Sequence, residues 1–211
     1  HYPLRRQRQM CIRDREYKVM NLQNEAFMKC RIQNHFLEGA RQVLSPNYSE
    51  REDPSDISLL VIHNISLPPG KFGNGFVDQL FLNKLNPTSD PYFESIASLR
   101  VSAHILIARD GLVTQYVPFN QKAWHAGESS FEGRVNCNEF SIGIELEGTD
   151  DTEYTEEQYH SLTEVTQALL LEYPKINRDR IMGHSSLAPN RKTDPGPFFN
   201  WDAYLHALKD L

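Results

Sequence analysis

The segment Ser141–Glu147 alternates strictly between two kinds of residue, and this constrains the fold more than any other feature. In a β-strand such alternation separates two faces, because successive side chains point to opposite sides. One face is apolar and comprises Ile142, Ile144 and Leu146. The other face comprises Gly143, Glu145 and Glu147. A strand of this kind must bury its apolar face against helices or a second sheet.

Other apolar patterns predict further strands, with helices beside them. The unbroken apolar run Leu59–Ile62 predicts a buried central strand that ends at His63. A helical stripe predicts the longest helix between Thr155 and Tyr173, with Thr155 and Gln158 as its capping box. The remaining predicted elements are short helices over 76–85 and 92–99, a hairpin of 101–107 with 112–117, and a terminal helix from Trp201. We therefore expect an α/β fold with a single domain, in which a mixed central β-sheet is flanked by helices.

The charge is concentrated at the N-terminal end of the sequence. Residues 1–18 carry six basic side chains against two acidic ones, although the whole chain has a net charge of -6. The segment lacks the apolar stretch of a secretory signal peptide. We expect residues 1–31 to be a basic extension that is not native to the domain or is disordered, and residues 32–211 to form the domain itself.

The composition argues against several classes of protein. A net charge of -6 disfavours a nucleic-acid partner. The chain has no run of about 18 apolar residues, so we expect no membrane span. Its three cysteines show no CxxC spacing, which argues against a disulfide framework or a thiolate zinc site and favours a reducing compartment.

Histidines end two of the predicted strands. The histidines that lie in patterned segments are His63, His104, His125 and His184. Taken singly, each is more often a hydrogen-bonded core residue than a ligand. His63 and His184, however, follow apolar strands, where α/β folds place their ligands, and Asp194 follows in a proline-rich loop. Two imidazoles and a carboxylate form a common zinc set that leaves a position for water, so these three residues are a candidate metal site.

Amide hydrolysis at such a metal also needs a base and a positively charged group. Glu145 and Glu147 both lie on the face opposite the apolar one, and the alternation cannot choose between them. A solvated charge on an edge strand is the simpler interpretation of either. Lys192 lies two residues before Asp194, where its ammonium group could stabilise an oxyanion.

Six motifs follow one another along the chain and together span most of it. They are Val61–Gly70, Arg100–His104, Ala123–Gly127, Phe140–Asp150, Gly183-His184 and Arg191–Pro197. With these motifs the chain closely resembles the zinc-dependent N-acetylmuramoyl-L-alanine amidases. Within that family it is most similar to the cytoplasmic enzymes that cleave anhydro-muramyl peptides during peptidoglycan recycling.

The resemblance implies a mixed sheet flanked by helices, a fold shared with phage amidases and peptidoglycan-recognition proteins. It implies that one Zn²⁺ per chain is held by His63, His184 and Asp194. It further implies that Glu145 and Lys192 are the catalytic residues. The implied positions around the substrate groove are Asn64, Arg100, Trp124 and His125. The implied reaction is hydrolysis of the amide between the muramyl lactyl group and L-alanine of the stem peptide.

The implied partner is a small anhydro-muramyl peptide in the cytoplasm, and the sequence gives no evidence for an obligate protein partner. Two alternatives stay open. A secreted or phage-type amidase that acts on intact peptidoglycan would be expected to carry a signal peptide, a lipoprotein cysteine or wall-binding repeats. A non-catalytic muropeptide-binding module would be expected to lack a ligand, whereas Asp194 and Lys192 are both present.

Overall fold

The computed structural model of the protein describes residues 30–208. The predicted extension over residues 1–31 falls almost wholly outside this range, so its character stays a prediction. Within the described range, none of the helices has both the length and the apolar character needed to cross a bilayer.

Twelve short strands and four α-helices make up the regular structure of residues 30–208. The strands are β1 (Ile32–Gln33), β2 (Phe36–Leu37), β3 (Arg41–Gln42), β4 (Tyr48–Glu50), β5 (Leu59–Ile65), β6 (Ile105–Ile107), β7 (Val113–Gln115), β8 (Gln121–Ala123), β9 (Ser130–Phe131), β10 (Arg134–Val135), β11 (Ser141–Glu147) and β12 (Ile181–Gly183). The helices are α1 (Phe76–Phe81), α2 (Glu156–Glu172), α3 (His184–Leu187) and α4 (Trp201–Ala207).

The central sheet has the strand order β12-β5-β11-β6-β7-β3 among the described residues. The strands β12, β5, β11 and β6 are mutually parallel. Strand β7 returns antiparallel to β6, and β3 pairs with β7 in parallel. The sheet is therefore mixed and flanked by helices, which confirms the predicted fold class.

Strand β11 occupies the middle of the parallel part of the sheet. All seven of its residues are buried, because it pairs with β5 on one side and β6 on the other. Its apolar face packs with α2 residues such as Leu162 and Leu169 in the largest core cluster. The interpretation of Glu145 or Glu147 as a solvated edge charge is wrong, since β11 is not an edge strand and both side chains are buried.

Helix α2 begins where the sequence predicts. The Thr155 hydroxyl accepts from the Gln158 backbone N–H, and the Gln158 side chain accepts from the Thr155 N–H, so both halves of the capping box form. The Gln158 amide also donates to the carbonyl oxygens of Ile107 and Glu147. The cap therefore ties the start of the helix to the carboxyl ends of β6 and β11.

Several predicted elements are shorter in the structure. The helix predicted over 76–85 ends at Phe81, and Asn83 has a left-handed φ of 59°, which interrupts the helix. The helix predicted over 92–99 is only a 3₁₀ turn, Pro91–Ser95. The predicted hairpin is confirmed, but its paired strands cover only 105–107 and 113–115. Strand β5 extends further than predicted and contains His63.

A buried arginine, which the sequence analysis did not single out, binds backbone carbonyl oxygens at and just before the start of β11. Arg51 donates from Nη1 to the carbonyls of Asn138 and Glu139, and from Nη2 to the carbonyls of Phe119 and Ser141. Burial lowers its pKa to about 10, which still leaves it charged at neutral pH. Four carbonyl oxygens thus take the place of a carboxylate partner.

His104 is a structural residue beside this arginine. Its Nδ1 accepts from the backbone N–H of Gly143, so the ring proton lies on Nε2, which donates to the carbonyl of Gln121. Burial, and then the charge of Arg51, lower the pKa of His104 to about 3. The neutral imidazole fixes the backbone of β11 two residues before Glu145.

We expect His104 to make the protein sensitive to mild acid. The unfolded chain takes up this proton near pH 6.5, whereas the folded chain resists it down to about pH 3. The contribution to stability is complete above pH 6.5 and should fall by about 2 kcal/mol between pH 6.5 and 5. Urea unfolding with a chelator present should show a shallower pH dependence for His104→Asn, which keeps an acceptor for Gly143 but does not titrate. Equal pH dependence in both proteins would contradict this role.

Candidate metal centre and active site

Three neighbouring parallel strands bring the predicted site residues to one edge of the sheet. In the register of β11 and β5, Glu145 lies opposite His63. In the register of β12 and β5, Gly183 lies opposite Ile62, so His184 follows at the same level as His63. The carboxyl ends of parallel strands are where open α/β sheets bind ligands.

The side chains of His63, His184 and Asp194 converge on one point. The Nδ1 atoms of the two histidines are 3.1 Å apart. Asp194 Oδ2 lies 2.9 Å from His63 Nδ1 and 3.1 Å from His184 Nδ1. All three residues are buried. The loop that carries Asp194 is held against α3, since the Asp194 carbonyl accepts from the Ser185 N–H at 2.9 Å.

The donor atoms of this group suit a divalent metal ion. His184 Nε2 lies 2.9 Å from the carbonyl oxygen of Ala126, which can only accept, so the ring proton is on Nε2 and Nδ1 keeps its lone pair. Metal-bound histidines commonly donate their other N–H to a carbonyl in this way. Among residues 30–208 no other group of three metal-ligand side chains comes this close together. The residues present therefore fit a metal of the kind predicted.

The charges of the group are those that metal ligands need. Burial alone would raise the pKa of Asp194, but hydrogen bonds and charge from His184 and His63 outweigh it and hold that pKa well below the usual range. Burial also lowers the pKa of His63, although its hydrogen bond to Asp194 opposes this. An ionised carboxylate beside a neutral imidazole is the ligand form, because protonated groups do not bind metals.

Glu145 lies close to Asp194, but one of its carboxyl oxygens has no hydrogen-bond partner among the described residues. Its side chain is buried, and Oε2 has no hydrogen-bond partner within residues 30–208. Burial and then the negative charge of Asp194 raise its pKa well above the usual range, and Lys192 only partly opposes them. A cation bound by Asp194 would cancel part of that charge and bring the pKa of Glu145 down. A carboxyl group held this way can both take up and release a proton.

Glu147 lies on the same face of β11 as Glu145, but both of its carboxylate oxygens accept hydrogen bonds. Its Oε1 accepts from the Gly73 N–H at 2.6 Å, and its Oε2 accepts from the Arg109 N–H at 3.3 Å. These contacts fasten two loops to the end of β11. Within residues 30–208, Glu147 thus has hydrogen-bond partners for both carboxylate oxygens, whereas Glu145 Oε2 has none.

Lys192 lies half-buried at the wall of the same cavity. Its positive charge is near enough to lower the pKa of both His63 and Glu145. The neighbouring Arg191 donates to the carbonyls of Ala126 and Glu128 at 2.7 Å and 2.6 Å. This anchor holds the loop that carries Lys192 and Asp194 against the rest of the site.

A cavity of about 710 Å³ opens above these residues. Its wall includes the three converging side chains together with Glu145 and Lys192. The wall also includes the apolar or aromatic side chains of Leu67, Tyr92, Ile96, Leu99 and Val101. A cavity of this volume is of the size that holds small-molecule ligands, and it includes the candidate metal ligands in its wall.

Comparison with known proteins shows which family the chain belongs to. The family model described as N-acetylmuramoyl-L-alanine amidase matches residues 53–197, which include the whole candidate metal centre, Glu145 and Lys192. The chain belongs to this family.

Close relatives of this amidase share nearly its whole described length. The 1,6-anhydro-N-acetylmuramyl-L-alanine amidase AmpD of Haemophilus influenzae is 53% identical over 178 residues, which cover 84% of this chain and 97% of the relative. A crystal structure of a selenomethionine derivative of AmpD has a TM-score of 0.81 and 55% identity, covering 84% of this chain and 98% of that one. AmpDh3 from Pseudomonas aeruginosa, solved in complex with anhydromuramic pentapeptide, has a TM-score of 0.55 and 26% identity, covering 72% of this chain and 60% of that one.

The residues predicted around the substrate groove of the amidase fall into two groups. Asn64, Trp124 and His125 line the cavity. Asn64 donates to Asp150 Oδ1 at 2.8 Å, and Trp124 Nε1 donates to Ser49 Oγ at 3.2 Å. Arg100 does not line it: its side chain is exposed, and its Nη1 donates to the carbonyls of Ser98 and Leu99.

The sequence analysis missed two groups that support the amidase centre. The carbonyl of Ala126 accepts from both His184 and Arg191, but a backbone oxygen leaves no signature in a sequence. Ser141 begins β11 and lies 3.2 Å from the ring of His125. Its position on the same strand face as Glu145 was the only available hint, because alternate residues of a strand share a face.

Proposed function

We propose that this amidase is a zinc enzyme that hydrolyses the amide bond between the lactyl group of anhydro-N-acetylmuramic acid and L-alanine of the stem peptide, in peptidoglycan recycling. The observation that carries the proposal is the convergence of His63, His184 and Asp194 beside the unpartnered carboxyl group of Glu145. The AmpD relatives, more than half identical over nearly their full length, supply the substrate class.

Zinc is the metal that best suits two imidazoles and one carboxylate with room for a further ligand. When bound, it supplies Lewis-acid polarisation of the scissile carbonyl and makes water easier to deprotonate. Each of the three proposed ligands has a supporting hydrogen bond. His184 contacts the Ala126 carbonyl and His63 contacts His125, while the backbone carbonyl of Asp194 accepts from the Ser185 N–H.

Glu145 is the proton-transfer group in this proposal. It accepts a proton from the attacking water, and the C–O bond forms at the lactyl carbonyl carbon. It then passes the proton to the alanine nitrogen as the C–N bond breaks, which yields a free carboxylic acid and a free peptide amine. A carboxyl group whose pKa is raised by burial suits both halves of this task.

Lys192 stabilises the negative charge that develops on the carbonyl oxygen. We expect Lys192→Ala to lower kcat about 10²-fold, the cost of removing one oxyanion-stabilising group. Zinc content should stay at the wild-type level, because Lys192 is not a ligand. Arg178→Ala, which removes an exposed cation that does not line the cavity, is the control and should change kcat little. Loss of zinc together with activity would instead assign Lys192 a structural role.

The substrate contacts proposed are those of Asn64 and Trp124 at the cavity wall, with Arg100 reaching the substrate only after its side chain moves. The complex of AmpDh3 with anhydromuramic pentapeptide supports a muropeptide ligand for this fold. A cytoplasmic location remains a prediction from the sequence.

Product analysis tests the proposal directly. The enzyme should convert anhydro-muramyl tripeptide into anhydro-muramic acid and free tripeptide, and a chelator should stop the reaction until Zn²⁺ is restored. Intact murein sacculi should be cleaved far more slowly. Faster cleavage of sacculi would favour the secreted or phage-type alternative. Tight muropeptide binding without any cleavage would favour the binding-module alternative.

A further inference from the structure

His125 stands directly behind one of the proposed metal ligands. Its Nδ1 lies 2.9 Å from His63 Nε2, and its Nε2 lies 3.2 Å from Ser141 Oγ. The rings of His63 and His125 meet edge to face, with centroids 5.0 Å apart. Both ring nitrogens of His125 are therefore engaged inside the protein, although the ring borders the substrate cavity.

The position of the His125 ring is fixed by β11 and by its own backbone. A Cβ atom at Gly143 would lie 2.5 Å from Cγ and Nδ1 of His125, so only glycine leaves space for the ring there. The side-chain oxygen of Asn138 accepts from the backbone N–H groups of His125 and Ala126, at 3.2 Å and 2.8 Å. The space at Gly143 and the hydrogen bonds to Asn138 together hold the ring in this position.

Two proton arrangements satisfy the contacts between His63, His125 and Ser141. In the first, His63 Nε2–H donates to His125 Nδ1, and His125 Nε2–H donates to the Ser141 hydroxyl. In the second, both donations run in the opposite direction, and the ring proton of His63 lies on Nδ1, pointing at Asp194. Only the first arrangement leaves a lone pair on His63 Nδ1, because a neutral imidazole carries one proton. A metal ligand needs that lone pair.

We propose that His125 is a positioning residue whose Nδ1 accepts the Nε2 proton of His63 and so presents His63 Nδ1 as a ligand. The proposal rests on the proposed function, since it concerns the same metal site. It replaces the predicted substrate contact of His125 with a contact to His63. His184 is oriented in the parallel way by the carbonyl of Ala126. The ring proton of His184 is thus held on Nε2 by a backbone carbonyl, and that of His63 is held on Nε2 by the imidazole of His125.

A matched pair of substitutions separates this role from simple packing. Asparagine places its amide oxygen where Nδ1 of the imidazole lies, whereas glutamine places its polar atoms near Nε2. His125→Asn therefore keeps an acceptor for His63, and His125→Gln keeps only the contact to Ser141. We expect His125→Gln to weaken zinc binding about 10- to 100-fold, the usual effect of losing the partner behind a ligand. His125→Asn should stay within a few-fold of wild type.

The zinc dissociation constant is measured by competition with a chromogenic chelator, and thermal unfolding of the chelator-treated proteins checks that each variant is folded. The visible spectrum of the Co²⁺-loaded proteins gives a second readout, which should change in His125→Gln and be retained in His125→Asn. Equal weakening in both variants, or wild-type affinity in both, would overturn the proposal. If His125→Gln does not fold, His125→Ala takes its place, because it also removes the acceptor for His63, and unchanged zinc affinity there would overturn the proposal as well. Failure of the wild-type chain to bind zinc would instead defeat the proposed function.

Discussion

Replacing Glu145 by glutamine should lower kcat by about 10²- to 10⁴-fold while zinc stays bound. The expected size is that of a positioned acid–base group, since the amide keeps the shape of the carboxyl group but cannot carry the proton. Glu145 is not one of the three converging ligands, so metal content should not change. Hydrolysis of anhydro-muramyl tripeptide, measured together with zinc content by elemental analysis, tests both halves of this expectation.

Glu147→Gln is the matched control on the same strand face. Its carboxylate serves the N–H groups of Gly73 and Arg109, so we expect a loss of stability with only a small change in kcat. If Glu147→Gln lost activity as strongly as Glu145→Gln, the distinction between the two glutamates would be wrong. Near-normal turnover of Glu145→Gln would remove Glu145 from the reaction.

Replacing Asp194 by alanine should remove metal and activity together. Asp194 supplies the only negative charge of the ligand group, and its oxygen is within 3.1 Å of both imidazole donors. We expect zinc affinity to fall by more than about 100-fold, because losing a ligand costs more than losing a residue that only hydrogen-bonds to a ligand. Turnover should fall to background at equal protein and zinc concentrations. Zinc stoichiometry after dialysis and tripeptide hydrolysis are the two measurements.

Asp202→Ala, in the first turn of α4, removes an exposed carboxylate and is the control for this substitution. It should retain full zinc content and turnover. Full zinc occupancy in Asp194→Ala would contradict the ligand assignment. Recovery of its activity at high zinc concentration would show that only affinity, and not the reaction itself, depends on the carboxylate.

The strands and the long helix could be predicted because their signals are local. The alternation in Ser141–Glu147 and the capping box of α2 each depend on neighbours in the sequence, and both elements form as expected. The helix predicted over 92–99 is wrong, because a few apolar residues at helical spacing do not by themselves specify an α-helix. The segment forms a 3₁₀ turn instead. Most of the stability of a short helix comes from tertiary packing, and here Phe93 packs into the core from a 3₁₀ turn.

The ligand set was predicted from strand ends and a resemblance, whereas its supporting groups were not. Glu145 and Glu147 are equivalent in the sequence pattern, and they differ only through contacts with distant residues, Gly73 and Arg109. Arg51 gave no signal at all, because a single arginine outside any motif is usually a surface residue. The roles of Glu145, Lys192 and the substrate contacts stay predictions until the variants are measured.

The carbonyl oxygen of Ala126 joins two parts of the site that act in different ways. It accepts from His184, and it also accepts from Arg191 on the loop that supplies Lys192 and Asp194. Detachment of that loop would therefore withdraw Asp194 and Lys192 in a single event and leave the Ala126 carbonyl bonded to His184 alone. Local opening of residues 188–194 should inactivate the enzyme as an all-or-none step, and amide exchange in this segment should slow cooperatively once zinc is bound.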